Sequence, residues 1–97
     1  MYARMVIGEA ISEAQVREFA HIYTSEVLPE LISEPGFESA KLMVEEDGRM
    51  AVSLTVWKTR DDCLKYHCSR SYRQFVAKTQ HLLMGEFVVK LFKEYSR

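Results

Sequence analysis

The dipeptide Asp47-Gly48 most constrains what this chain can fold into. It joins two extended runs, "ESAKLMVEE" (38–46) and "RMAVSLTVWK" (49–58). A two-residue hairpin needs positive φ at its corner, which Asp-Gly supplies, so a β-hairpin is predicted at the middle of the chain. Each side of the hairpin carries one helical pattern and one short apolar run. "YARMVI" (2–7) reads as a strand ended by Gly8. Ser12 followed by Gln15 is a capping-box pattern, and Val16, Phe19, Ala20, Tyr23 and Val27 then trace one face of a helix. Pro29 either kinks that helix or restarts it from its first turn, and "EPGF" (34–37) turns the chain.

After the hairpin, Thr59 is placed to cap a second helix, with Asp61 and Asp62 favourable in its first turn. The helix is predicted through "DDCLKYHCSRSYRQFVAKTQHLL" (61–83), with a break near Ser69–Ser71. Gly85 stops it, and "EFVVKLFKEY" (86–95) reads as the last strand. The order is β-α-β-β-α-β, which predicts an α+β, ferredoxin-like sandwich with a four-stranded antiparallel sheet. At 97 residues, the whole chain 1–97 is expected to be one domain.

The third strand alternates Met50, Val52, Leu54 and Val56 on one face with Ala51, Ser53, Thr55 and Trp57 on the other. The last strand sets Phe87, Val89 and Leu91 against Val88 and Phe92. Two helices cover one face of such a sheet, so the second face is expected to meet the sheet of another copy. A homodimer closing into an α/β barrel is the predicted assembly.

A net charge of −1 with dispersed Lys and Arg gives no footprint for nucleic acid. The apolar runs are too short for a bilayer and the N-terminus lacks a signal-peptide pattern, so no membrane partner and a cytoplasmic location are expected.

The stretch "DDCLKYHCSRSY" (61–72) holds both cysteines and one of the histidines. On a continuous helix, Cys63 and Cys68 point about 140° apart, which favours free thiols over a bridge. Cys63 and His67 share a helix face, but two ligands are not a metal site, and a third would have to come from His21 or a carboxylate. Asp61 and Asp62 oppose a thiolate at Cys63, which reads as a small buried residue. His81, near the helix end, complements the helix dipole.

The segment from Pro35 to Phe75 resembles the antibiotic biosynthesis monooxygenase family of dimeric α+β barrels. Pro35-Gly36-Phe37, Trp57 at the end of the third strand, and His67, Ser69 and Phe75 in the second helix carry the resemblance. It implies a pocket between sheet and helices, and a monooxygenase that needs no cofactor or metal and acts on a small hydroxylated aromatic or quinol. His67 would be the general base, Tyr72 a second catalytic group, and Trp57, Tyr23 and Phe75 the substrate-binding aromatics. His67 packed against backbone and the aromatics serving as plain core are the structural alternatives. Haem-degrading members of the family place a tryptophan and a histidine where this chain has Tyr66 and Val76, and an asparagine where it has none. Haem degradation is therefore disfavoured, and Ser53 or Thr55 would have to replace the asparagine that oxygenase members use. A non-catalytic dimeric module holding a small ligand is the alternative function.

Overall fold

The computed structural model describes residues 1–95. Its strands are β1 (Tyr2–Glu9), β2 (Phe37–Val44), β3 (Met50–Trp57) and β4 (Val88–Lys93). Its helices are α1 (Glu13–Ile22), α2 (Leu28–Ile32), α3 (Arg60–His67) and α4 (Arg70–Thr79). All strand pairs are antiparallel in the order β2-β3-β1-β4. This is the ferredoxin-like α+β sandwich that the hairpin and its flanking patterns predict.

Local chemistry sets the boundaries. Ser12 accepts from the Gln15 amide at 3.3 Å and starts α1. A wider π-helical turn, Tyr23–Val27, then carries the chain into α2, with Leu28 N–H donating to the Tyr23 carbonyl. Pro29 falls in the first turn of α2, where its missing N–H costs nothing. Gly36 turns into β2 at φ 78°, and Asp47 takes φ 54° at the hairpin corner. Thr59 caps α3 by accepting from the Asp62 amide at 3.1 Å. The predicted break falls at Cys68–Ser69, because the Ser69 hydroxyl caps a new helix, α4, through the Tyr72 amide at 3.1 Å. β1 runs past Gly8 to Glu9, so that glycine does not end it.

The sheet's two faces differ in an unexpected sense. Helices cover Arg4, Val6 and Gly8 of β1 and Ala51, Ser53, Thr55 and Trp57 of β3, all of them buried. The opposite face presents Met5, Ile7, Val52, Leu54 and Val56, half-buried, with Met43, Val88 and Phe92 exposed at its sides. On the central strands β1 and β3 the more uniformly apolar face is thus left bare, flanked by Lys41 on β2 and Lys90 on β4. Polar groups survive under the helices because they pair there: the Trp57 indole N–H donates to Thr55 Oγ1 at 3.0 Å, and Thr55 Oγ1 to the Arg4 carbonyl at 3.4 Å.

Candidate functional site

The covered face of β1 places Arg4 opposite Thr55 of β3, under the helices and 2% exposed. Its guanidinium lies over the ring of Tyr72 on α4, 4.2 Å from the centroid, and 5.7 Å from that of Tyr66 on α3. Arg4 Nε donates to His67 Nδ1 at 3.1 Å. One terminal nitrogen of the guanidinium is buried without a hydrogen-bond partner among the described residues. Nothing in the sequence patterning singles out Arg4 except a charge inside an apolar strand, on the same side as Val6 and Gly8.

Arg4 forms the polar end of a cavity of ≈ 20 Å³ between sheet and helices. Tyr23, Tyr66, Tyr72, Phe75 and Phe87 supply its aromatic wall, and Ser53 and Thr55 its polar floor. Tyr23 Oη and Ser53 Oγ are hydrogen-bonded at 2.9 Å. Burial pushes the phenols of Tyr23 and Tyr66 up, Tyr66 strongly, so both remain hydroxyl groups. Gly8 leaves room for Phe87, whose ring would stand 2.9 Å from a Cβ at that position. Beside the cavity an open groove of ≈ 360 Å³ runs along α4 and the approach to β4. Tyr72 and Phe87 line both spaces and stand between them.

The expected site residues divide accordingly. Tyr23, Tyr72 and Phe75 line the cavity; Trp57 and His67 do not. Trp57 is fully buried behind it, stacked on Tyr66 at 5.4 Å and edge-on to Phe37 at 5.7 Å. His67 is half-buried at the end of α3, its ring 5.5 Å from that of Tyr72. Burial, then the neighbouring Arg4 cation, hold the His67 imidazole below its ordinary pKa. Its Nδ1 accepts from Arg4, which places the ring hydrogen of the neutral form on Nε2. Cys63 is buried with its thiol pushed up by desolvation, while Cys68 is exposed. His21, on α1, faces solvent.

No curated protein matches this chain in sequence. Solved structures match it in fold. A monooxygenase from Streptomyces coelicolor, solved with nanaomycin D, superposes with a TM-score of 0.86 at 17% identity, over 99% of this chain and 88% of its own. SnoaB, a cofactor-independent oxygenase from Streptomyces nogalater, gives 0.81 at 15% identity over 99% and 94%. Rv0793 from Mycobacterium tuberculosis gives 0.80 at 17% identity over 99% and 96%. No helix among the described residues is long and apolar enough to cross a membrane. The sequence profile of the antibiotic biosynthesis monooxygenases matches residues 5–78, spanning β1 to most of α4, and the chain belongs to that family.

Proposed function

We propose that this protein is a cofactor-independent monooxygenase-like enzyme acting on a small hydroxylated aromatic or quinol. The observation that carries the reading is the cavity itself, an aromatic chamber with Arg4, Tyr23 and Ser53 at its polar side. Family membership and the oxygenases among the fold neighbours support it. A flat ring stacks on such walls, and a dry, oriented site favours direct reaction of its electron-rich anion with O₂. One oxygen atom enters the ring as a carbonyl; the other leaves as water, with the two hydrogens given up by the substrate.

In this reading His67 takes the substrate's hydroxyl proton at Nδ1. That nitrogen is held by Arg4, so the Arg4–His67 bond has to give way as the proton arrives. Tyr72, lying over the Arg4 guanidinium, orients the ring. The working assembly is a homodimer closed through the bare apolar faces of the two sheets. The single domain extends over 1–97.

The test is O₂ uptake with a panel of dihydroxyarenes, comparing the intact protein with His67→Ala and His67→Gln. Glutamine keeps an acceptor for Arg4 but cannot carry the proton. Loss of uptake in both variants supports the base, and full activity in His67→Gln removes it. No uptake with any member of the panel sinks the oxygenase reading. The second reading is a non-catalytic dimeric binding module that holds its ligand in the same aromatic cavity. It expects ligand binding without O₂ consumption.

A further inference from the structure

Arg4 combines three features. It is 2% exposed, it has no carboxylate in ion-pair range among the described residues, and one guanidinium nitrogen is unpartnered. Burying a cation costs several kcal/mol unless a countercharge accompanies it. The partners present are all neutral: the His67 ring and the faces of Tyr72 and Tyr66. A water in ≈ 20 Å³ could take the free N–H, but it brings no negative charge.

We infer that Arg4 is an anion-holding residue, and that the ligand of this cavity binds through an ionised oxygen carried on a flat apolar ring. The inference rests on the proposed chemistry only in taking that ring to be a hydroxyarene. The charged oxygen meets the unpartnered guanidinium nitrogen, where a charge-assisted hydrogen bond forms out of water. With a ligand that arrives already ionised, no proton passes to His67 and Arg4 Nε stays on it, which aims the guanidinium, so His67 is a positioning residue for the bound anion. The ring needs more space than the ≈ 20 Å³ of the cavity offers. Displacing Tyr72 or Phe87, the two side chains between cavity and groove, joins the small volume to the ≈ 360 Å³ beside it. The preferred substrates are hydroxyarenes acidified by a conjugated electron-withdrawing group, since these supply the anion near neutral pH.

The test uses 4-nitrophenol, whose anion is coloured, and 4-nitrotoluene, which has nearly the same shape and no ionisable proton. Spectrophotometric titration of the intact protein across pH is expected to lower the bound phenol's pKa by about one unit, a roughly tenfold preference for the anion. 4-Nitrotoluene is expected to bind about tenfold more weakly than the nitrophenolate, the same charge term read a second way. Arg4→Lys retains most of the preference and Arg4→Gln abolishes it. Equal binding of the two probes, an unshifted phenol, or binding of neither overturns the inference; this comparison needs only the intact protein, should a variant fail to fold. An anion preference without O₂ uptake sinks the oxygenase reading alone. O₂ uptake without the preference sinks this inference alone.

Discussion

Arg4 Nε and His67 Nδ1 meet at 3.1 Å, joining the first strand to the last residue of α3. This bond aims the buried guanidinium and fixes the tautomer of the half-buried imidazole. Removing the acceptor with His67→Ala leaves a charged donor unpaired, which is expected to cost about 1–3 kcal/mol. His67→Gln restores an acceptor and is expected to recover most of it, as urea unfolding would show.

The same pair gives stability a pH dependence. Burial and Arg4 lower the folded-state pKa of His67 below the ordinary 6.5, so the unfolded chain binds the proton more readily. The contribution is fully present above 6.5 and is lost as pH falls through the lower folded value. Thermal melts of the intact protein should therefore drop below pH 6.5 relative to His67→Gln. Parallel profiles for the two proteins would refute the coupling.

Tyr23 and Ser53 bond hydroxyl to hydroxyl at 2.9 Å across the helix–sheet interface. Tyr23→Phe strands the serine, and Ser53→Ala strands the tyrosine. A double-mutant cycle is expected to return a coupling of about 1 kcal/mol in unfolding free energy. Additive losses would show the pair to be independent.

Trp57 is fully buried yet lies off the cavity wall. Trp57→Phe loses ring contact with Tyr66 and Phe37 and leaves Thr55 without the indole donor. About 1–2 kcal/mol of stability should go with them. Affinity for a cavity ligand should change less than about twofold, well under the tenfold that 1.4 kcal/mol would give. A large loss of affinity in a well-folded variant would place Trp57 in the binding site after all.

The bare sheet face supplies the prediction about assembly. Val52 and Leu54 lie on it, directed away from the helices. Val52→Lys with Leu54→Lys puts two charges into any sheet-to-sheet contact, while in a monomer both ammonium groups reach water. Light scattering should find a dimer for the intact chain and a folded monomer for the double variant. An intact chain that is monomeric at micromolar concentration would refute the sheet-faced dimer.

Much of the fold is legible in the sequence because its punctuation is local. Asp47-Gly48 forms its hairpin, Ser12, Thr59 and Ser69 cap helices through amides three residues on, and Pro29 sits where a missing N–H is harmless. Alternation along β3 separates its faces, since successive side chains must point oppositely. Periodicity also brings Tyr23 and Phe75 to the helical surface that lines the cavity.

The site is less legible, because its polar end is assembled from distant segments. An arginine in an apolar strand gives no sign of whether it snorkels to water or stays beneath a helix. Only packing decides that Arg4 lies under Tyr72, bonded to His67 and without a countercharge among the described residues. Likewise, alternation cannot say which face of β3 the helices take. They take the face with Ser53 and Thr55, whose hydroxyls find partners inside, and leave the apolar face bare. Local backbone chemistry written in the sequence determined the elements and their order; where the buried charge sits, and what it faces, was decided by tertiary packing alone.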